Sequence, residues 1–268
     1  MITPGGMNMN LQWFNEQVVE LNMVLSKQTR AVEIPDVVPV DYQPELDSDL
    51  AVYIDHTLLK PEVGEEQIRQ ELERARPYNF ASVCIHPRYV SLAAEILADS
   101  SIKVCTVVGF PLGQNTTLSK VFEARDALAH GAEELDMVLP IGALKTGDYY
   151  AVYQDVAAVK EAAGSRVLKV ILETPYLTDA EIVKGSLLVK AAGADFVKTA
   201  TGFAGGGATT KAVSLMRQAV GLECGVKAAG GVRSADSALA FLRAGANRIG
   251  TSSGIAIVNL SEGDPNGY

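Results

Sequence analysis

The sequence predicts an α/β fold in which eight parallel strands, each followed by a helix, close into a TIM-type (β/α)8 barrel, with an additional helix at the N-terminus. Three observations predict it. From about Leu50 onward, short β-branched apolar runs alternate with helical stretches, an order that needs crossover connections and therefore parallel strands. Eight strand–helix units fit into roughly 210 residues, the size of such a barrel. Gly131, Gly164, Gly193, Gly221 and Gly245 each close a helical stretch ahead of a strand, at spacings of 33, 29, 28 and 24 residues. Three of them share similar surroundings: Gly131-Ala-Glu-Glu-Leu, Gly193-Ala-Asp-Phe-Val and Gly245-Ala-Asn-Arg-Ile. A left-handed turn ending a helix is where glycine avoids a Cβ clash. A doubly wound sheet is the rival arrangement, but no G-x-G-x-x-G follows the first strand.

Three segments are expected: an N-terminal extension over 1–48, the barrel over 49–260 and a flexible tail over 261–268. The extension holds seven acidic and two basic residues. Met1 to Asn10 reads as frayed. Leu11, Phe14, Val18, Leu21 and Leu25 then recur at helical spacing, giving an amphipathic helix whose stripe must pack on the domain body or on a second subunit. Ile34 to Pro44, with three prolines, reads as an extended connection. Strands are expected near 52–55, 81–85, 103–108, 134–139, 167–172, 195–199, 224–228 and 247–250. Helices lie between them, for example 65–76 and 118–130, the latter with Val121, Ala124 and Leu128 on one face.

Composition removes several function classes. The 268 residues carry 23 Lys and Arg against 32 Asp and Glu, a net charge of −9, without a basic cluster. Nucleic acid and anionic membranes are poor partners for such a surface. No apolar run is long enough to span a bilayer, and the N-terminus does not read as a secretory signal. Cys84, Cys105 and Cys224 are odd in number and widely spaced, so neither a disulfide framework nor a structural zinc site is expected, and the cytoplasm is the expected home.

In a barrel of this type the chemistry sits at the C-terminal strand ends. Lys169, Lys198 and Lys227 lie inside apolar runs on three consecutive strands. Lysine is almost never fully buried without a partner. Pairing with carboxylates would explain any one of them, but three together crowd like charges. Two ammonium groups about 6 Å apart repel by roughly 3 kcal/mol at an effective dielectric of about 20, or about two pKa units. A lysine brought toward neutral pH is a nucleophile for carbonyls. Lys198, the middle one, is the expected nucleophile, with Lys227 as its perturber. Asp136 is placed to pair with Lys169 and to relay a proton.

Three glycine-rich loops follow the last three strands. They are Thr201-Gly202-Phe203-Ala204-Gly205-Gly206-Gly207, then Gly230-Gly231-Val232-Arg233, then Gly250-Thr251-Ser252-Ser253-Gly254. Converging backbone N–H groups and a helix start bind phosphate in this architecture, so a phosphorylated ligand is expected. His56, His86 and His130 lack metal-ligand spacing, and His130 is expected to meet the end of its own helix. Asp55 and Thr57 share one face of the first strand, Asp55 being a better inward candidate than His56. Glu173 shares parity with Lys169 and is expected to pair with lysine.

These residues resemble the deoxyribose-phosphate aldolase family. The resemblance runs over roughly 50–257, through Ile54-Asp-His-Thr-Leu-Leu-Lys-Pro, Ser82-Val-Cys-Ile-His-Pro, Val107-Val-Gly-Phe-Pro-Leu-Gly, Glu134-Leu-Asp-Met-Val, Leu168-Lys-Val-Ile-Leu-Glu-Thr, Phe196-Val-Lys-Thr-Ala-Thr-Gly-Phe, Gly225-Val-Lys-Ala-Ala-Gly-Gly-Val-Arg and Arg248-Ile-Gly-Thr-Ser-Ser-Gly. It implies reversible cleavage of 2-deoxy-D-ribose 5-phosphate to acetaldehyde and D-glyceraldehyde 3-phosphate, with neither metal nor cofactor. It also implies a soluble homo-oligomer, dimer or tetramer. The Schiff-base lysine falls on Lys198, the lysine lowering its pKa on Lys227, and the relay aspartate on Asp136 with Lys169 beside it. Substrate contacts fall on Asp55, Thr57, Cys84 and Thr199. Phosphate contacts fall on Gly202, Gly230, Gly231, Arg233, Gly250, Ser252 and Ser253. The sequence departs from the family at Ala200, Ala229 and Phe203, the last standing where some members place a lysine. In some members a C-terminal tyrosine, here Tyr268, assists enamine protonation.

Overall fold

The computed structural model describes residues 10–29 and 32–260. The eight strands are β1 (Ile54–Leu58), β2 (Ser82–Ile85), β3 (Lys103–Val108), β4 (Glu134–Val138), β5 (Val167–Ile171), β6 (Phe196–Lys198), β7 (Gly225–Ala229) and β8 (Arg248–Thr251). Each pairs in parallel with the next, and β8 returns to β1, so the sheet is a closed barrel. Around it run α1 (Leu11–Gln28), α2 (Glu65–Ala75), α3 (Val90–Ile96), α4 (Thr117–Ala129), α5 (Ile141–Thr146), α6 (Tyr149–Ala163), α7 (Asp179–Ala191), α8 (Thr210–Val220), α9 (Ala235–Ala244) and α10 (Gly254–Val258). The five helix-closing glycines all have positive φ, from 58° at Gly164 to 125° at Gly245. At Gly245 a Cβ would also stand 2.6 Å from Cβ of Arg217.

Two details of the barrel differ from what the sequence predicts. Leu50–Tyr53 form a 3-10 turn, and the first strand begins only at Ile54. The Asp49 side chain accepts from Ala51 N, and this local cap outweighs the strand preference of Val52 and Tyr53. In α4 the buried residues are Lys120, Ala124 and Ala127, so the helix is turned by about one position from the apolar face that the sequence suggests. The cause is a buried ion pair. Lys120 Nζ lies 2.6 Å from Asp155 Oδ2 and donates to Val138 O at 3.0 Å, drawing Lys120 inward and leaving Phe122 exposed.

The N-terminal stripe covers the protein's own barrel. Phe14, Val18, Leu21 and Leu25 are buried where α1 meets α6 and α7. Asn10 is not frayed: its side chain caps α1 by accepting from Gln12 N. The connection after α1 is extended, as its prolines require, and it is clasped to the body. Asn22 donates to Ile34 O and accepts from Ile34 N, and Asn15 accepts from Val37 N. The expectations for residues 1–9 and for the tail over 261–268, Tyr268 included, lie outside the described residues. Among the described residues no helix is long and apolar enough to cross a membrane.

Most of the apolar core lies between barrel and helices. Inside the barrel the filling is split. Leu59, Cys84, Cys105 and Val107 make a small apolar cluster on the side of the first three strands, and the remaining strands contribute charge.

Candidate active site

Strand alternation and register bring the charged residues together. Asp136 is the register partner of Lys169, Lys198 of Lys227, and Lys227 of Arg248. Their side chains converge in the barrel. Lys198 Nζ lies 2.8 Å and Lys227 Nζ 2.7 Å from the same oxygen, Asp136 Oδ2. Lys169 Nζ takes the other, Asp136 Oδ1, at 2.9 Å. All four side chains are fully buried. Gly250 leaves room for this cluster, since a Cβ there would come within 2.9 Å of Lys227 Cε.

A second tier of carboxylates lies alongside. Asp55 Oδ2 stands 2.5 Å from Lys227 Nζ and 3.5 Å from Lys169 Nζ, and Asp55 Oδ1 stands 2.6 Å from Arg248 Nη1. Glu134 Oε2 lies 2.6 Å from Lys169 Nζ and 3.1 Å from Arg248 Nη1. Asp55 faces inward as alternation predicts. Its carboxylate is engaged by three cations, Lys227, Lys169 and Arg248. Glu134 and Arg248 were missed by the sequence reading, although Glu134 shares parity with Asp136 and Arg248 begins the eighth strand.

The carboxylates reverse one expectation. Burial alone pulls Lys198 down, but the Asp136 carboxylate raises it, and the net direction is upward. Burial also pulls Lys227 and Lys169 down, and Asp136 and Asp55 carry both upward. Burial pushes the Asp136 carboxyl up, and the three lysines more than reverse this, leaving it well below the usual carboxylate range. Counting lysines alone predicts a depressed Lys198; pairing Asp136 with Lys169 only leaves out its direct contact with Lys198. Even so, the network joins four cations to three carboxylates. One proton can leave and make it neutral. Lys198 touches one carboxylate and shares its oxygen, whereas Lys227 and Arg248 each touch two and Lys169 touches three. Lys198 is therefore the cation of the network with the fewest carboxylate contacts.

Cys84 and Cys105 adjoin this cluster. Cys105 Sγ is 3.3 Å from Asp136 Oδ1 and from Lys169 Nζ. The two thiols and Asp136 offer donor atoms within 4.8 Å of one another, a set that could gather round an ion. Both Asp136 oxygens are taken by ammonium groups, which such an ion would have to displace.

Of the other expected contacts, Thr57 is buried on the Asp55 face, its hydroxyl donating to Asp55 O. Thr199 instead staples β6 to β7: its hydroxyl donates to Ala229 O at 2.8 Å and accepts from Ala229 N at 2.9 Å. Glu173 does not ion-pair with lysine. Its carboxylate accepts from the hydroxyl and N–H of Thr201, and burial pushes its pKa up. His56 turns outward to Glu71 and stacks on Phe80, and His130 bonds Asp126 O of its own helix.

The late loops are stitched together at the barrel mouth. Ala208 N donates to Gly230 O at 3.0 Å, and a Cβ on Gly207 would fall 2.2 Å from that oxygen. Thr251 Oγ1 donates to Val232 O and accepts from Ser253 N. Gly202, Gly230 and Gly231 have positive φ. Gly231 and Arg233 are exposed, Gly230 and Gly250 are buried, and Ser252 and Ser253 lie at the start of α10. Ser253 Oγ is buried with no hydrogen-bond partner. A separate cavity of about 380 Å³ opens on the other side of the mouth, lined by Leu112, Gln114, Lys145, Glu173, Thr201 and Phe203. Phe203 packs edge-on against Phe110 at 5.3 Å.

Known proteins are similar to this chain across the barrel. The model of the DeoC/LacD family of aldolases matches residues 49–259, which spans every barrel strand. The chain belongs to this family. Among DeoC/LacD relatives, a deoxyribose-phosphate aldolase of Streptococcus suis is 57% identical over 212 residues, covering 79% of this chain and 96% of that one. One from Brevibacillus brevis is 55% identical over 216 residues, covering 81% and 98%. A crystal structure of a putative deoxyribose-phosphate aldolase from Coccidioides immitis superposes with a TM-score of 0.79 at 40% identity, covering 94% of this chain and 98% of that one. A deoxyribose phosphate aldolase from Aeropyrum pernix, described as a tetramer, gives a TM-score of 0.73 at 36% identity, covering 78% and 89%.

Proposed function

We propose that the protein is a class I aldolase that reversibly cleaves 2-deoxy-D-ribose 5-phosphate to acetaldehyde and D-glyceraldehyde 3-phosphate. The observation that carries this reading is the sharing of Asp136 Oδ2 by Lys198 and Lys227 in a buried network with one cation in excess. Its relatives' activity supports the substrate.

Lys198 as the free amine attacks the open-chain aldehyde at C1, and loss of water gives an iminium. Asp136, through a water, accepts the C3 hydroxyl proton as the C2–C3 bond breaks. The bonding pair moves toward the iminium nitrogen, giving an enamine on Lys198 and free glyceraldehyde 3-phosphate. Protonation at C2 and hydrolysis release acetaldehyde and restore the amine. Flanked by lysines, Asp136 is too weak a base to keep the proton and serves as a relay. The sequence needs no metal or cofactor. The phosphate is held by the loops after β6, β7 and β8, where the unpartnered Ser253 hydroxyl and the glycine N–H groups supply donors. It orients the sugar far from the reacting carbon.

The same reading places the enzyme in the cytoplasm as a dimer or tetramer. The tetrameric relative supports assembly, as do the exposed apolar side chains Leu112, Leu118 and Phe122. The test is direct: 2-deoxyribose 5-phosphate incubated with the protein should yield acetaldehyde, measured with an alcohol dehydrogenase couple. A panel of other phosphosugars should yield little. Turnover of another phosphosugar in preference would reassign the substrate, and binding without turnover would remove the activity.

A further inference from the structure

The interior of a barrel of this kind is ordinarily filled by branched apolar side chains. Here seven charged side chains meet instead, two of them, Arg248 and Glu134, at the N-terminal strand ends away from the mouth. Buried ion pairs seldom stabilise a fold better than apolar packing does, so their presence calls for another explanation. We propose that Arg248 and Glu134 form an opposed pair of positioning residues that sets the pH at which Lys198 becomes a free amine. The proposal rests on the reading of Lys198 as the Schiff-base residue.

The geometry gives the route. Arg248 Nη1 holds Asp55 Oδ1 at 2.6 Å, Asp55 Oδ2 holds Lys227 at 2.5 Å, and Lys227 shares Asp136 Oδ2 with Lys198. Glu134 holds Lys169 at 2.6 Å, and Lys169 occupies Asp136 Oδ1 at 2.9 Å. Arg248 thus shares Asp55, the carboxylate that competes with Asp136 for Lys227. Glu134 does the opposite, adding negative charge that favours ammonium forms throughout the network. Lys198 is faced by ionisable groups from every strand: Asp55 on β1, Cys84 on β2, Cys105 on β3, Glu134 and Asp136 on β4, Lys169 on β5, Lys227 on β7 and Arg248 on β8, with Glu173 beyond β5. Arg248 is 15% exposed, and its guanidinium lies 5.3 Å from the Phe196 ring centre. Of the cations in the network, it is the one with a path to solvent.

The sign follows from charge. Loss of Arg248 removes a positive charge and raises the pH needed to free the Lys198 amine. Loss of the Glu134 charge lowers it. At roughly 10 Å and an effective dielectric of about 20, either charge moves the midpoint by about one pH unit. The test follows the rate of borohydride-trapped adduct at Lys198 against pH, using acetaldehyde as the probe. Arg248→Met should raise the midpoint, Glu134→Gln should lower it, and the double variant should return near the parent. Arg248→Lys, which keeps the charge, should stay near the parent. Midpoints that do not move, or that move in the same direction in both single variants, would overturn the proposal while leaving the aldolase reading intact. Should Arg248→Met fail to fold, Glu134→Gln decides alone, and a midpoint at or above the parent's overturns the proposal. Absence of any Lys198 adduct in the unmodified protein would overturn both.

Discussion

Replacing Lys227 with Met removes one of the two ammonium groups that share Asp136 Oδ2. Because Lys198 and Lys227 reach that oxygen at 2.8 and 2.7 Å, their nitrogens stand at most about 5.5 Å apart. At an effective dielectric of about 20 that separation is worth roughly 3 kcal/mol of repulsion, or about two pKa units. Losing the repulsion also hands Lys198 an undivided claim on Asp136 Oδ2. Both changes stabilise the ammonium form, so the Lys198 pKa rises further above its ordinary value. Turnover near neutral pH should fall by about a hundredfold and recover about tenfold per unit as pH rises toward the new midpoint. Asp55 keeps Arg248 and Lys169 as partners, so the fold should survive, which thermal unfolding will show. The assay is kcat/KM for cleavage across the pH range. An equal loss at every pH would refute the electrostatic role and leave Lys227 acting by some other route.

Three further outcomes are expected. Ser252→Glu places a negative charge at the start of α10, so cleavage of the phosphorylated substrate should fall at least tenfold more than that of 2-deoxyribose; equal losses would remove the phosphate site from that loop. Leu21→Ala opens a cavity under α1 and should cost about 2–5 kcal/mol in urea unfolding, since the stripe packs on the protein's own helices; an unchanged midpoint would mean the helix contributes nothing to the monomer. If the C-terminal tyrosine protonates the enamine, Tyr268→Phe should slow deuterium exchange into the acetaldehyde methyl group by about tenfold or more, and an unchanged rate would leave that step to Asp136 and its water.

Most of the barrel could be read from the sequence because its strands are buried on both faces and therefore appear as nearly unbroken apolar runs. The exceptions within those runs, Lys169, Lys198, Lys227 and Asp136, were conspicuous for the same reason. Glu134 and Arg248 escaped notice because they stand at strand beginnings, where a charged residue ordinarily meets solvent. Only the shear of the closed barrel shows that both side chains reach inward to Asp55 and Lys169. The direction of the Lys198 shift escapes a count of lysines for a different reason: it turns on the Asp136 carboxylate, which Lys198 shares with Lys227. Glu173 and Thr201 found each other through loops whose path no strand periodicity encodes. The rotation of α4 was hidden because the buried residue that fixes it is a lysine paired across to α6.

The proposed cycle depends on Lys198 carrying the covalent intermediate. Borohydride reduction in the presence of 2-deoxyribose 5-phosphate, followed by peptide mass mapping, tests it most directly. One reduced adduct is expected, on Lys198, and it should disappear in Lys198→Leu while the variant remains folded. An adduct on Lys169 or Lys227 in the unmodified protein, or turnover without a trappable adduct, would contradict it.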